Sequence, residues 1–385
     1  MSSCDKELAE LDENKVLKKL SVQEQELINA TNSLSIDILK TEYAQNNDDN
    51  FMFSPISVGM ALGMIYNGVG EEEKMQIQNT MGIESLVEKE INKSYNELLS
   101  FFQVANDQVN ISYANSLWFS DNINIQEDYR TRVMAYYDAE ISELNFMKSS
   151  SLDLINSWGS LKTHGNFENL ISIVPSKDIF LVNAFSLNTG WKNNVTNFQT
   201  PRDFYNSKGE KLEVNTNNWD GLNVRINENE AYLLVEIPFE NDQILLSVIQ
   251  PEEYVSLKDL VASFTLVDLQ ELSEEALEFK ANVSLPKINF SADRSIKKTL
   301  STIGLSKLFL SSTDLSPSFL EQNSQISEIN HLAKINLDKN QIDLESSSFN
   351  DSNLKSFFVN KPFVYFVKDK YTQTVLFAGY YQNPE

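Results

Sequence analysis

Residues 50–57 decide how the rest of the chain is interpreted, and they run Asn50-Phe51-Met52-Phe53-Ser54-Pro55-Ile56-Ser57. Three consecutive apolar residues at 51–53 predict a short buried strand. Ser54 and Pro55 then predict a helix start, because serine caps free N–H groups and proline fits the first helical turn. The following residues, 56–66, are apolar on nearly every side, which predicts a helix at the centre of the molecule.

Outward from this stretch, helical patterns dominate the first part of the chain and strand patterns the last part. Helices are predicted at 21–39, 71–81, 87–102, 127–137 and 151–160. Strands are predicted at 111–119, 179–187, 231–239, 243–250, 278–290, 333–337, 357–367 and 374–381. No strand–helix alternation and no Gly/Ser-rich linker appears. The order predicts one large α+β domain over residues 21–385, with mostly antiparallel sheets, preceded by a charged tether at residues 1–20.

Composition excludes several classes of function. The 385 residues include 31 Lys and Arg against 55 Asp and Glu, a net charge of −24. Nucleic acids and anionic membrane surfaces repel such a chain. One cysteine and two histidines exclude a disulfide framework, a multi-cysteine cluster and a histidine-rich metal centre. We therefore expect no metal, no cofactor and no nucleic-acid partner, and a monomer.

The first four residues bear on the cellular location of the protein. Met1-Ser2-Ser3-Cys4 places small residues before a cysteine, and a polar stretch follows. This resembles the end of a bacterial lipoprotein signal, with Cys4 as the lipidated residue. The alternative is an ordinary exposed thiol in a disordered terminus. The lipoprotein interpretation predicts an extracellular or cell-envelope protein with a membrane tether through Cys4.

Enzyme motifs are absent from the sequence. There is no G-x-S-x-G elbow, H-E-x-x-H, Walker loop or G-x-G-x-x-G. A Ser-His-Asp triad would have to use His164 or His331. His164 lies in a polar stretch typical of a helix end or turn, and His331 precedes an alternating strand, where a hydrogen-bonded structural histidine is expected. An enzyme is therefore the weaker hypothesis, and no catalytic residue is assigned.

The motifs along the chain resemble those of the serpin family, in family order. They begin with residues 50–57 and continue through Ala114–Trp118, Ile155–Trp158, Leu181–Ala184, Gly190-Trp191, Leu285–Lys287, Leu300–Leu305, Thr313–Ser316, Asn360–Phe363, Leu376–Gly379 and Asn383-Pro384. Each motif is weak by itself. Together they cover roughly residues 21–385, which makes coincidence implausible.

The resemblance implies a fold and a mechanism. It implies three β-sheets, about nine helices and a reactive-centre loop, here at about 339–359. In the family, a protease cleaves this loop, which then inserts as an extra strand into the large sheet and distorts the trapped acyl-enzyme. The uncleaved form is held kinetically in a less stable state.

The resemblance also assigns roles to buried polar residues. Ser54, Ser57, Asn183 and His331 occupy the positions of the family's polar shutter beneath the sheet, where hydrogen bonds exchange as a strand enters. Trp191 would lie at the top of the sheet, where insertion begins. Simple helix capping by Ser54 and simple core packing by Trp191 are the alternatives, and each is compatible with the shutter role.

The loop departs from the pattern of inhibitory serpins. Its hinge positions are Lys339, Asn340, Gln341, Ile342, Asp343, Leu344 and Glu345. Gln341 replaces the usual glycine and Ile342 the usual threonine, and the loop is about four residues short, on the order of 13 Å. Apolar or small residues still alternate with polar ones along the loop. The charged side chains would therefore face water on insertion, and no charge would be buried. Bulky Ile342 and Leu344 would instead cost roughly 1–3 kcal/mol each through overpacking.

Counting from His331 places the scissile bond at Lys355-Ser356. Lysine before the cut suits a trypsin-like protease with an acidic specificity pocket. If the shortening precedes the cut, the bond moves toward Phe358 or Val359 and the target changes class. Lys355 as an ordinary exposed lysine is the remaining alternative.

The sequence thus predicts a suicide inhibitor of a serine or cysteine protease. A non-inhibitory serpin-fold binding protein, cleaved as a plain substrate, is the alternative favoured by the atypical hinge. A hydrolase is the third hypothesis.

Overall fold

The computed structural model of the chain describes residues 19–45, 49–104, 109–175, 178–192, 195–198, 201–252, 254–321, 324–338, 341–344 and 353–384. Its α-helices within these ranges are α1 (Val22–Gln45), α2 (Pro55–Tyr66), α3 (Glu71–Met81), α4 (Glu88–Val104), α5 (Glu127–Tyr137), α6 (Ser150–Lys162), α7 (Leu257–Ser263), α8 (Leu266–Glu274) and α9 (Lys297–Leu300). A π turn (Ser301–Leu305) and a 3-10 turn (Ser306–Phe309) follow α9.

Seventeen strands lie in the same ranges. They are β1 (Phe51–Phe53), β2 (Asn110–Ser120), β3 (Ala139–Leu144), β4 (Ile179–Gly190), β5 (Val195–Phe198), β6 (Arg202–Tyr205), β7 (Lys211–Val214), β8 (Thr216–Glu228), β9 (Tyr232–Pro238), β10 (Ile244–Pro251), β11 (Leu277–Pro286), β12 (Ser291–Ser295), β13 (Ile326–Asp338), β14 (Gln341–Leu344), β15 (Ser356–Phe358), β16 (Phe363–Asp369) and β17 (Val375–Tyr381).

The first two helices begin as their sequences predict. Ser21 and Glu24 cap α1 reciprocally, with the Ser21 N–H donating to Glu24 Oε2 at 2.8 Å and the Glu24 N–H to Ser21 Oγ at 3.2 Å. The Ser54 side chain accepts from the Ser57 N–H, with Pro55 in the first turn. All residues of α2 are buried, which confirms the prediction of a central helix.

A five-stranded sheet crosses the centre of the molecule in the order β12-β13-β4-β2-β3. The pairs β13–β4 and β2–β3 are parallel, whereas β12–β13 and β4–β2 are antiparallel. Helix α2 packs beneath this sheet and contacts its middle strands.

A second sheet, called the larger sheet below, holds ten strands. Eight of them follow the order β1-β17-β16-β10-β9-β8-β11-β15, and β5 pairs with β8 and β14 with β5. Strands β6 and β7 form a separate two-stranded hairpin. Most strand pairs in the three sheets are antiparallel, so the predicted α+β class with mostly antiparallel sheets is confirmed.

A buried charge network ties the larger sheet to α8. Glu236 accepts from Arg225 Nη1 at 2.6 Å and lies 2.8 Å from Lys368 Nζ. The hydroxyls of Ser247 and Ser273 each donate to the same carboxylate at 3.0 Å. Every oxygen of this buried carboxylate is therefore partnered, as burial of a charge requires.

Three strands differ from the sequence expectation by more than three residues. The strand expected at 333–337 spans Ile326–Asp338, so His331 lies within it and does not precede it. The strand expected at 278–290 ends at Pro286, which has no N–H to continue a ladder. The run expected at 357–367 is two strands, β15 and β16, separated around Lys361-Pro362. Strand β8, with its many asparagines, and the short β3 have weak apolar patterns and were not predicted. His164 lies in the exposed turn after α6, with a positive φ of 52°, as predicted.

Two kinds of site are absent from the described residues. No helix among them is long and apolar enough to cross a membrane. Nor do they bring three or more His, Cys, Asp or Glu side chains together in a way that could hold a metal ion. Cys4 and most of the predicted tether lie outside the described residues, so the lipidation and the tether stay predictions.

Candidate functional site: the central sheet and its departing loop

The two middle strands of the five-stranded sheet are parallel neighbours. Strands β13 and β4 pair from Ile326/Ile179 to Asp338/Gly190, so the sheet is closed along their whole length. The next described stretch of the loop, Gln341–Leu344, pairs with β5 and not with a strand of this sheet. A strand that turned back from β13 would run antiparallel to both β13 and β4, because those two share one direction.

A row of polar side chains crosses the sheet at its middle. His331, Asn183 and Asn115 occupy matched register positions on β13, β4 and β2. Asn183 Nδ2 donates to Asn115 Oδ1 at 2.8 Å, and Asn115 Nδ2 donates to the Tyr137 carbonyl at 2.9 Å. From below, the Ser54 N–H donates to His331 Nε2 at 2.9 Å. The sheet and the N-terminus of α2 therefore meet through hydrogen bonds in an otherwise apolar core.

This row holds spare hydrogen-bonding capacity. Within the described residues, Ser57 Oγ, Asn183 Oδ1 and His331 Nδ1 have no hydrogen-bond partner. Because His331 Nε2 accepts, a neutral ring carries its proton on Nδ1. A donor, an acceptor and a hydroxyl without partners thus lie together at the middle of the sheet.

Burial governs the chemistry of His331. The ring is fully buried, and loss of water, with a smaller contribution from the nearby Arg294 cation, lowers its pKa to about 3. The imidazole is therefore neutral at physiological pH and a poor general base there. This property agrees with a structural histidine and speaks against the hydrolase hypothesis.

Trp191 follows β4 directly and is buried at the end of the β13–β4 pair. Its ring stacks on Phe239 with centroids 4.8 Å apart and meets Trp219 edge-on at 5.0 Å. A backbone bridge joins Trp191 to Phe239. The tryptophan thus ties the end of the central sheet to the larger sheet.

The hinge is described only in part. Lys339, Asn340 and Glu345 lie outside the described residues. Gln341, Ile342, Asp343 and Leu344 form β14, whose backbone pairs in parallel with β5 in the register Gln341/Val195 to Leu344/Phe198. This stretch of the loop is therefore attached to the edge of the larger sheet, a pairing that its sequence did not predict.

The predicted scissile bond lies where the loop joins a strand. The Lys355 side chain is 58% exposed and pairs with Glu228. Its carbonyl accepts from the Asn282 N–H at 2.9 Å, and Ser356 opens β15, which pairs in parallel with β11. The alternative positions Phe358 and Val359 lie further into this attachment, and the Val359 N–H donates to the Ser284 carbonyl at 2.9 Å. A cut at any of these bonds requires part of β15 to detach from β11.

Sequence reasoning missed two members of the polar row. Asn115 lies in an otherwise apolar strand. A single asparagine at such a position could have marked it as a buried hydrogen-bonding residue. Arg294, opposite His331 on β12, lies over the Phe51 ring at 4.7 Å and donates to Glu42 at 3.2 Å. No local pattern marked it, because its neighbours come from distant parts of the chain.

Comparison with known proteins agrees with this fold. Residues 29–384 match the family model described as Serpin (serine protease inhibitor). The chain belongs to the serpin family, as its motifs predicted.

Its relatives are distant but cover nearly the whole chain. An uncharacterized serpin-like protein of Methanosarcina mazei is 25% identical over 99% of this chain and 92% of its own length. Iripin-8 of Ixodes ricinus is 26% identical over 94% of each. Among solved structures, the thermophilic serpin tengpin in its native state superposes with a TM-score of 0.83 at 23% identity, covering 96% of each chain. The structural likeness shows the fold.

Proposed function

We propose that this chain inhibits a serine or cysteine protease as a suicide substrate, by inserting its cleaved loop between β13 and β4. These strands belong to the five-stranded sheet, which carries Asn183 and His331 and therefore corresponds to the large sheet of the family. Membership of a family described as serine protease inhibitors supports inhibition as the general activity. The single observation that carries the mechanism is the closed parallel pair β13–β4, with the loop leaving from the end of β13.

Insertion is favoured by strand direction. An entering strand replaces one parallel ladder with two antiparallel ladders, which are slightly more stable per residue. Residues 339–355 exceed in length the strand at 326–338 beside which they would lie. The spare groups of Ser57, Asn183 and His331 would offer new partners as the old bonds part.

The hinge pairing works against insertion. Residues Gln341–Leu344 must leave β5 before they enter the central sheet. The protease escapes whenever deacylation is faster than this release. This observation supports the second candidate function, a serpin-fold protein that is cleaved as a plain substrate.

The choice of protease follows from Lys355. Its exposed cation fits an acidic specificity pocket. Cleavage at Lys355-Ser356 would begin with release of β15 from β11. The reaction needs no group from this chain other than the loop, since the protease supplies the nucleophile.

The deciding experiment mixes the full chain with trypsin-like, chymotrypsin-like and papain-like proteases in turn. We expect a complex with the trypsin-like enzyme that survives SDS, with mass spectrometry placing the cut after Lys355. Lys355→Ala should abolish this complex, whereas Lys370→Ala, an exposed lysine in the turn after β16, should leave it unchanged.

Melting temperatures separate the two candidate functions. Loop cleavage followed by insertion should raise the melting temperature by about 10 °C or more, which corresponds to about 8 kcal/mol in a chain of this size. Cleavage without complex and without that rise would establish the plain substrate and refute inhibition. A complex with its cut elsewhere would refute the Lys355 assignment alone.

A further inference from the structure

The peptide bond between Lys355 and Ser356 lies directly at the edge of the larger sheet. Ser356 is the first residue of β15, so no spacer separates Lys355 from the strand that pairs with β11. The Asn282 N–H donates to the Lys355 carbonyl at 2.9 Å, and Asn282 Nδ2 donates to Ser356 Oγ at 3.4 Å. Asn282 is fully buried, and its side-chain oxygen accepts from the Gly221 N–H at 3.0 Å. One buried residue thus holds both sides of this bond.

The Lys355 side chain is held as well. Its ammonium pairs with the carboxylate of Glu228, the last residue of β8. The same ammonium lies 4.7 Å from the centroid of the Phe357 ring. Both members of the ion pair are at least half exposed, so the pair contributes little to global stability. The lysine nevertheless has an anion and a ring face as partners before any protease arrives.

These contacts occupy the groups that a trypsin-like protease must bind. Such an enzyme places the carbonyl oxygen of the scissile bond among N–H donors and the lysine ammonium against an acid. In the uncut chain the Asn282 N–H already bonds that carbonyl, and Glu228 already pairs with that ammonium. The chain therefore supplies its own substitutes for both contacts, and a protease has to displace them.

We propose that Glu228 holds Lys355 in a closed state that protects the Lys355-Ser356 bond, and that a protease cuts only the open state, in which Lys355 has left Glu228 and Asn282. This inference rests on the proposed function, because it takes Lys355 as the residue before the cut. The cleavage rate is then the rate for the open state multiplied by the open fraction. Glu228 is thus a specificity-determining residue that lies outside the loop.

The test measures kcat/KM for cleavage after Lys355 by trypsin, at about 50 mM salt so that screening is weak. Glu228→Gln should raise this value about two- to fivefold, because it removes the anion that competes with the protease. Glu228→Lys should raise it about tenfold, since repulsion replaces attraction. Glu228→Asp keeps the charge on a shorter side chain and should fall between the wild type and Glu228→Gln.

The matched controls are Glu230→Gln and Glu230→Lys. Glu230 is an exposed acid two residues further along the chain. Its variants change the net charge by the same amounts, so they correct for the weaker attraction of a cationic protease to a less acidic chain. Neither should raise kcat/KM. At about 1 M salt the gain from Glu228→Gln should largely disappear, because the ion pair is then screened in the wild type too.

Hydrogen exchange of the Asn282 amide measures the opening without a protease. This amide exchanges only after it releases the Lys355 carbonyl. Its exchange rate in Glu228→Gln should therefore rise by the same factor as the cleavage rate. Amides of β10, which lies between β9 and β16, should keep their wild-type rates, since global stability is unchanged.

Two results would overturn the proposal. One is a cleavage rate in Glu228→Gln and Glu228→Lys no higher than in the corresponding Glu230 variants, and the other is an unchanged exchange rate of the Asn282 amide. Failure of the proposed function is distinguishable. Without an SDS-stable complex, inhibition is refuted, yet the cleavage and exchange rates still test Glu228. If trypsin cuts no variant after Lys355, the lysine assignment and this proposal fail together.

Discussion

Single residues in the core of this serpin depend on burial and on partners from distant parts of the chain. His331 is neutral because burial lowers its pKa, and Ser54 donates to its unprotonated nitrogen. The sequence pointed to Ser54, Asn183 and His331 through family motifs. It did not indicate that Asn115 extends the row to a third strand, because side-chain hydrogen bonds depend on register between distant strands.

His331 makes stability depend on pH in a defined direction. The unfolded ring has a pKa near 6.5, whereas the folded ring has a pKa of about 3. Below pH 6.5 the unfolded chain therefore binds a proton that the folded chain does not, so stability falls as pH falls from about 6.5 toward 3. Between pH 7.5 and pH 5 this group alone should remove about 2 kcal/mol of stability.

Urea unfolding of the wild type and of His331→Gln at both pH values measures this contribution. Glutamine keeps an acceptor for the Ser54 N–H but does not titrate. All other groups are common to both proteins, so the difference in slope isolates His331. Parallel pH profiles for the two proteins would contradict the assignment of a neutral, buried ring.

At the scale of elements, buried charge joins strands that are distant in sequence. Glu236 on β9 links Arg225 on β8 and Lys368 on β16, with Ser273 of α8 completing the network. Glu236→Gln should lower the free energy of unfolding by about 3–5 kcal/mol, because it leaves two cations without their anion.

The control for that variant is Glu228→Gln. Glu228 pairs with Lys355 at the surface, where both side chains are at least half exposed. Its loss should cost less than about 1 kcal/mol. Urea unfolding of both variants gives the comparison, and equal costs would show that the buried network contributes no more than a surface pair.

The β14–β5 pairing can be tested with a reversible cross-link. Ile342 and Thr196 are register partners, so Ile342→Cys with Thr196→Cys, in a Cys4→Ser background, should form a disulfide under mild oxidation. The pair Ile342→Cys with Phe198→Cys is two residues out of register, a shift of roughly 6.6 Å, and should not.

The same cross-link tests whether the hinge must leave β5 before the loop can insert. When the loop is cut, the oxidised protein should show no rise in melting temperature, because the hinge stays attached to β5. Reduction should restore the rise. An equal rise in the oxidised and reduced forms would show that residue 342 need not leave β5 for insertion.

The net charge of the whole molecule affects how fast a charged protease reaches the loop. A net charge of −24 over 385 residues attracts cationic partners at long range. The rate at which a cationic trypsin-like protease cleaves the loop should therefore fall about tenfold or more between roughly 50 mM and 500 mM salt. Cleavage is measurable whether the chain inhibits or is a plain substrate. A rate independent of salt, or a faster rate with an anionic protease of the same specificity, would contradict steering.

The sequence by itself determined the class of fold, the central helix α2 and the family, because caps, periodicity and short motifs depend on neighbouring residues. It also predicted the exposed turn at His164. Only the tertiary structure decided that β13 and β4 are closed against each other, that residues 341–344 pair with β5, and that Glu228 pairs with Lys355. Each of these joins segments far apart in the chain. Such contacts are decided by long-range packing, which local sequence patterns do not encode.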